Sequence, residues 1–505
     1  MGMRECIVSK TTKNVGAIAL IKPVLDALGV KEAVDRYCPM DRKRSITHGQ
    51  AVEVMVMNRL TSPTPLLHVE EWAKLYALEE ACGIEADQVN DDRLARALDA
   101  VFQHMEDIEA DVALRAMAKY EVKPELIHFD TTSLYFEGDY EESDVIRLGY
   151  SRDQKPDKKQ VNLGLDVSAD EGIPLFHSAY QGNAPDPKIV VDNIKRLKAR
   201  LKPNHFIMVG DRTSITAESV GLILDNGLDF IGALKMTNPL QALVASVSDD
   251  EYEPVEYQGG TEYRACERAI TLNHAERSFT TRGIVVWSMR KAEEDCRRRE
   301  VGVEKTIEKL RTLETKLNRG RYKRRLHVER RVTAALAGRY GNLVKVRLDG
   351  EDGGLTMSIS RDEEEIQRLS RLDGKYILAT SLNWPASQLI QTYRERYVME
   401  ARIRNMKSNL AVRPIFLHSD QRVQALVALT VLALMVYSIL EVLARRNGMV
   451  KMTTRQLLFH FQKLILIKLT MKDGELVNVV EDVTRLQGEL LARLSLPRPE
   501  AYITI

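Results

Sequence analysis

The chain of 505 residues has little charge of either sign to spare: Lys+Arg 73 stand against Asp+Glu 72, a net charge of +1. A neutral total argues against a broad basic field, so any nucleic-acid surface must come from local patches. Cysteine is scarce and unpaired in pattern. The five cysteines, at 6, 38, 82, 266 and 296, include no CxxC spacing, which excludes a regular structural zinc site and points to a reducing, cytoplasmic setting. No long apolar block follows Met1, and Arg4, Glu5, Lys10 and Lys13 fall within the first residues, so no secretory segment is expected. Internal repeats and low-complexity stretches are also missing. Only Val423 to Leu440 is apolar enough to suggest a membrane span, and Gln424, Thr430 and Ser438 interrupt it. It reads as a buried core helix, and no membrane partner is expected.

What is present begins with helices. Residues 1–125 read as a helical region. Thr47-His48-Gly49-Gln50 has capping-box spacing and opens an apolar helix ending near Leu60, and Ser62-Pro63-Thr64-Pro65 breaks it. Further helical patterns pass through Trp72 and start near Asp92. The basic knot Arg42-Lys43-Arg44 suits a DNA-end-binding domain; a helical packing or dimerisation domain is the other reading.

At Pro124 the pattern changes. Leu126 to Phe136 is a short, β-branched, apolar run, and Gln160 to Val167 and Ile173 to Gln181 are two more strands joined by the turn Ala169-Asp170-Glu171-Gly172. An amphipathic helix over Pro187 to Leu201 precedes a strand at His205 to Asp211. A helix at Thr216 to Asp225 and a strand at Phe230 to Lys235 follow. Three antiparallel strands, then helix, strand, helix, strand is the element order of the RNase H-like fold. In that order the first and fourth strands are neighbours, so Asp130 and Asp211 converge. Each is an aspartate at a strand position, where that residue is disfavoured. A turn residue and half of a surface ion pair are their alternative readings. Gathered carboxylates repel unless cations neutralise them, and hard oxygen ligands suit Mg²⁺. The loop Gly149-Tyr150-Ser151-Arg152-Asp153 with Lys155, Lys158 and Lys159 is either a phosphate-tracking or a solvated loop.

From about Met236 to Leu369 this pattern is interrupted by strands at Tyr263 to Leu272 and Thr280 to Met289 and by a charged helix over Ala292 to Leu317. Lys316, Arg319, Arg321, Lys323, Arg324 and Arg325 form the densest basic cluster, a candidate for salt-sensitive backbone contact. Trp287 reads as core in preference to a base-stacking residue. A strand over Gly374 to Thr380 resumes the sheet, and Pro385 opens the next helix.

On that helix Tyr393, Arg396, Glu400 and Lys407 share about 60° of arc at 100° per residue. Met399, Ile403, Met406 and Leu410 make an apolar stripe beside them. One carboxylate flanked by cations suits a metal ion and a phosphate backbone together. Taken alone, the stripe reads equally as a solvated face with i,i+4 pairs, Arg396 with Glu400 among them. Pro414 ends the segment, and Thr454 to Leu469 and Val480 to Leu494 read as two further helices.

The order Tyr, two residues, Arg, three residues, Glu, six residues, Lys resembles the YREK signature of DDE transposases from bacterial insertion sequences, with no departure in spacing. The resemblance implies a multidomain α/β chain. Its expected segments are a helical domain at 1–125, an RNase H-like core at 126–236 and 370–445, a strand-containing insertion at 237–369 and a helical region at 446–505. It implies that Asp130, Asp211 and Glu400 are catalytic and hold two Mg²⁺ ions about 4 Å apart, Mn²⁺ being a substitute. Tyr393, Arg396, Lys407 and Arg212 are then the DNA-binding residues. The implied activity is cutting of transposon ends and joining of the 3′-OH to target DNA by a homodimer on double-stranded DNA. A hydrolytic RNase H-like nuclease and a non-catalytic DNA-binding protein are the alternatives.

Overall fold

The computed structural model describes residues 7–40, 46–201, 205–257, 260–413, 415–481 and 483–503. Cys6, the basic knot Arg42-Lys43-Arg44 and Pro414 lie outside them. The chain forms two compact units, residues 1–230 with 394–505, and residues 231–393.

The first unit starts with a strand, β1 (Ile7–Asn14), followed by α1 (Ile18–Leu28), α2 (Val30–Tyr37), α3 (His48–Thr61), α4 (Val69–Leu75), α5 (Leu78–Cys82) and α6 (Asp91–Tyr120). The Thr47/Gln50 capping box is formed at the start of α3. β2 (Leu126–Tyr135), β3 (Gln160–Ser168) and β4 (Pro174–Gln181) come next, then α7 (Asp186–Leu201), β5 (Ile207–Gly210) and α8 (Ala217–Asp225). β2, β3 and β4 are antiparallel neighbours, and β5 joins β2 in parallel, giving the order β4-β3-β2-β5. Every residue of β3 is buried, as expected of a strand covered on both faces.

The chain enters the second unit within β6 (Asp229–Ala233). There follow α9 (Asn238–Ser246), β7 (Glu253–Val255), β8 (Tyr263–His274), β9 (Arg277–Ser288), α10 (Met289–Glu314), α11 (Arg325–Leu336), β10 (Val344–Asp349), β11 (Thr356–Arg361), α12 (Glu363–Ser370), β12 (Lys375–Thr380) and α13 (Ala386–Arg394). β12 lies antiparallel between β6 and β9, with Leu378 opposite both Ala233 and Ile284. β10 and β11 form a separate ribbon. Val303, Ile307, Leu310, Leu343, Val344 and Ile366 form one core of this unit, and Leu313, Val328, Leu355 and Met357 another. Trp287 on β9 is half-buried under Arg264, whose guanidinium lies 5.3 Å from the ring centre.

The first unit resumes with α14 (Tyr397–Ser408), α15 (Asp420–Arg446), α16 (Thr454–Phe461), β13 (Ile465–Met471), β14 (Leu476–Val480) and α17 (Arg485–Arg493). α15 has a mean hydropathy of 2.4 over its most apolar window, and 89% of that window is buried inside the protein. It packs on α6, α3 and β4. A helix apolar all round needs such a surround.

Two expectations are corrected here. The regions before residue 125 and after residue 446 are not wholly helical. β1 pairs with β13, and β13 with β14, in a three-stranded antiparallel sheet. The helix expected to reach Leu469 stops at Phe461 because Ile465, Leu466 and Ile467 find strand partners on both sides. The turn between β13 and β14 is set by Gly474, at φ 87°, a conformation that glycine adopts without strain.

Candidate nucleic-acid-processing site

The parallel register of β2 and β5 sets Leu126 opposite Ile207, Ile127 opposite Met208 and His128 opposite Val209. Carried two residues further, it brings Asp130 beside Asp211, where β5 ends and the chain turns. Asp211 holds that turn: its Oδ1 accepts from Thr213 N (2.9 Å), Thr213 Oγ1 (2.8 Å) and Ser214 N (2.9 Å). Asp130 Oδ1 accepts from the N–H of Thr131 (2.8 Å), and Arg396 Nη2 stands 3.6 Å from Asp130 Oδ2.

The two carboxyls are driven apart in acidity. Burial pushes Asp130 up to about 6; Arg396 opposes this, and the like charge of Asp211 adds to it. Burial also acts to raise Asp211, but the Thr213 hydroxyl, the Arg396 charge and the Ser214 and Thr213 N–H groups outweigh it and leave the carboxyl below its usual range. Two close carboxylates with one cation against them resist holding two negative charges. His128, on the same strand, is pushed down to about 3 by burial and then by Arg396, so it is neutral at physiological pH.

Arg396 and Lys407 lie on one segment but have different partners. The helix expected to run through the signature is divided: α13 ends at Arg394 and α14 begins at Tyr397. Val398 N bonds Glu395 O (3.0 Å) and Met399 N bonds Arg396 O (2.9 Å), the i→i+3 pattern of a tightened turn. Tyr393 belongs to the second unit, where its ring centre lies 6.3 Å from that of Tyr376. The four signature residues therefore do not share one continuous helix face.

Lys407 Nζ donates to both oxygens of Asp153 (3.0 and 3.1 Å), and Arg413 Nη1 donates to Asp153 Oδ2 (2.6 Å). Burial lowers the Lys407 pKa; Asp153 opposes the shift, and Arg413 and Arg152 add to it. Arg413 also lies over the Tyr135 ring, 4.4 Å from its centre. Arg152 donates to Thr131 Oγ1 (2.7 Å) and pairs with Asp186 at the start of α7. Asp153, part of a loop that reads as basic, thus accepts from two cations that other parts of the chain supply. Glu400 is exposed on α14, and Arg212 is exposed beyond β5. Among the described residues no group of three or more His, Cys, Asp or Glu side chains is arranged to hold a metal ion. The structure brings Asp130 and Asp211 together, with Arg396 against Asp130.

Residues that the sequence did not single out hold α14 in place. Arg402 is 2% exposed; its Nε donates to Gly172 O (2.5 Å) in the β3–β4 turn and its Nη1 to Glu441 Oε2 on α15 (2.9 Å). Gly172 has φ +68°, and a Cβ there would meet Val398 Cγ1 at 2.3 Å. The available signal was Arg402 itself, three residues from Met399 and four from Met406, which are buried with it.

Against known proteins, a model described as a domain of unknown function (DUF4277) matches residues 10–110, a stretch that contains none of these carboxylates. No curated protein matches the chain by sequence. Among solved structures it is similar to a piggyBac transposase in a synaptic complex with hairpin DNA. That match has 8% sequence identity and a TM-score of 0.42, and covers 90% of this chain and 82% of that one.

Proposed function

We propose that the chain is a DDE-type DNA transposase of a bacterial insertion sequence, built on an RNase H-like core and acting on double-stranded DNA as a homodimer. The observation that carries this reading is the β2–β5 register that sets Asp130 beside Asp211, with Arg396 of the signature segment against Asp130. The order β4-β3-β2-β5, with one parallel pair, supports the same core.

The aspartate pair fits a hard divalent cation. Both are oxygen donors, and Arg396 already supplies positive charge to the pair. Glu400, one turn along α14 from Arg396, is the third acid in this proposal. Mg²⁺ ions, when bound, supply Lewis-acid activation of a water and stabilisation of the leaving oxygen. Asp211 keeps its ionised form through its turn hydrogen bonds, leaving Oδ2 outside those three bonds for a ligand. Arg396 and Lys407 hold non-bridging phosphate oxygens, Lys407 exchanging Asp153 for phosphate, and Tyr393 and Arg212 contact the backbone. A water oxygen bonds to phosphorus as the P–O3′ bond breaks. The freed 3′-OH then attacks a target phosphate and displaces its 3′ oxygen, with no covalent protein–DNA intermediate.

The test uses the DNA that flanks the chain's own gene, with labelled ends and Mg²⁺. Nicking followed by strand joining is expected; nicking without joining would identify the hydrolytic nuclease instead. Asp130→Asn and Asp211→Asn, which keep the hydrogen-bond acceptors, should lower nicking by at least about 10²-fold while end binding changes little. Wild-type nicking in either variant would overturn the assignment.

A further inference from the structure

The second unit contains a cation surface that the carboxylate site does not use. Between Glu314 and Glu329 the chain has no acidic residue, and Lys316, Arg319, Arg321, Lys323 and Arg324 fall in that interval. All five are exposed. Among the described residues none of the five has an ion-pair partner. Elsewhere in the same unit cations are paired: Arg299 with Asp373, Arg361 with Glu300, and Arg368 with Glu365. Two acids beside the loop are engaged by Arg325, whose Nε pairs with Glu329 (2.8 Å) and whose N–H donates to Asp352 Oδ1 (2.8 Å).

This is a built surface. Asn318 clamps the loop to the start of β11 through Leu355, accepting from its N–H (2.8 Å) and donating to its carbonyl (2.9 Å). Lys323 O accepts from Gly353 N (2.8 Å). Leu317 and Tyr322 pack on the Leu313, Val328, Leu355 and Met357 core, so Arg319 and Arg321 between them are exposed on an anchored backbone. Arg324 is the residue before α11 and gives it no side-chain cap. Cations at a helix N-terminus oppose the helix dipole, so this placement does not serve the stability of α11 and suits an anion bound there. His327, its ring 5.1 Å from that of Tyr322, is held below its usual pKa by burial and then by Arg321, Arg331 and Arg330, which shows that positive charge is concentrated at this spot.

We propose that residues 316–324 form a duplex-DNA backbone-binding surface on the second unit, neutralising about four phosphates without reading sequence. Five cations spread along an anchored loop match a line of phosphates. Among the described residues Leu326 is the one large apolar side chain exposed in this segment, at 63%, which is too little to insert into a lipid surface. Tyr322 is half-buried against the core, with His327 and Arg321 already on its ring, so base stacking is not its role in this proposal. The surface needs no metal and no cut end, and it shares with the proposed function only the premise that the partner is DNA.

The experiment compares the full wild-type chain with Arg319→Ala/Arg321→Ala/Lys323→Ala/Arg324→Ala on a random-sequence duplex at salt concentrations from about 50 to about 200 mM. Arg325 is kept because it holds Glu329 and the carbonyls of Leu348 and Gly350. The slope of log affinity against log salt should fall by about 3 to 4, at about 0.9 per lost phosphate contact, with unchanged circular dichroism. A wild-type slope in the variant overturns this surface and leaves the carboxylate reading standing. A wild-type chain that binds no duplex overturns both. Patch-dependent sedimentation with anionic vesicles, with the duplex slope unchanged, assigns the patch to a membrane and overturns the proposal.

Discussion

At the residue scale the decisive contact is the one Asp153 makes with Lys407 and Arg413. Three charges meet where little solvent reaches them, with Lys407, Arg413 and Asp153 side chains 13%, 21% and 19% exposed. The carboxylate occupies the place a phosphate oxygen takes in the proposed DNA complex, so binding DNA through Lys407 must first displace it. Asp153→Asn keeps an acceptor for Lys407 and removes the competing charge. It should tighten binding to duplex ends by about 3- to 10-fold at low salt and steepen the salt slope by about one phosphate contact. An unchanged slope in filter-binding or anisotropy titrations would mean that Lys407 does not meet DNA. The sequence concealed this because Asp153 lies among Arg152, Lys155, Lys158 and Lys159, and its cations come from residues more than 250 positions away.

At the scale of elements, α14 is positioned by Arg402 and by the absence of a side chain at Gly172. Arg402 is nearly fully enclosed, while its partner Glu441 is 31% exposed, so the pair is only partly desolvated. Breaking it should destabilise the first unit by roughly 2–4 kcal/mol, somewhat below the range for a fully buried pair. Arg402→Met fills much of the volume but bonds neither Gly172 nor Glu441. Nicking should then fall along with the apparent Tm, because Arg396 and Glu400 are both carried at the N-terminal end of the helix that has lost its anchor. Gly172→Ala should act in the same direction through the clash with Val398. Wild-type nicking in both variants would show that the placement of α14 is set elsewhere. The division between α13 and α14 also belongs to this scale: no proline or glycine marks Glu395 and Arg396 as a break, so periodicity alone reads one helix.

At the scale of the whole molecule, the first unit buries several acids whose proton affinity is raised. Glu53 on α3 is pushed from 4.5 up to about 7 by burial, against the pull of Lys22. Glu109, in contact with His177, and Asp166, bonded to Asn193, are raised by burial as well. For Glu53 the sign is definite. Between about pH 4.5 and 7 the folded chain keeps a proton that the unfolded chain has released, so stability falls as pH rises through that window. Deprotonated above it, Glu53 costs the fold on the order of 3 kcal/mol. Glu53→Gln should therefore raise the apparent Tm at about pH 8 and change it little at about pH 5. Equal shifts at both pH values, followed by circular dichroism, would remove Glu53 as the cause.

Elements whose signal is local were legible along the chain. The strands over 126–135, 160–168 and 174–181 are dense apolar and β-branched runs, the capping box at Thr47 opens α3, and the apolar run of α15 reads as a helix. The sequence also marked Asp130 and Asp211, since an acid within or directly after an apolar β-branched run is visible without knowing its neighbours. Features beyond the reach of a local window emerge with the fold. β1 becomes a strand because β13, more than 450 residues on, supplies its hydrogen bonds. Lys407 and Arg413 both meet Asp153, more than 250 positions away. Such pairings depend on which distant backbone or charge arrives at the same place, and periodicity along the chain contains no record of that.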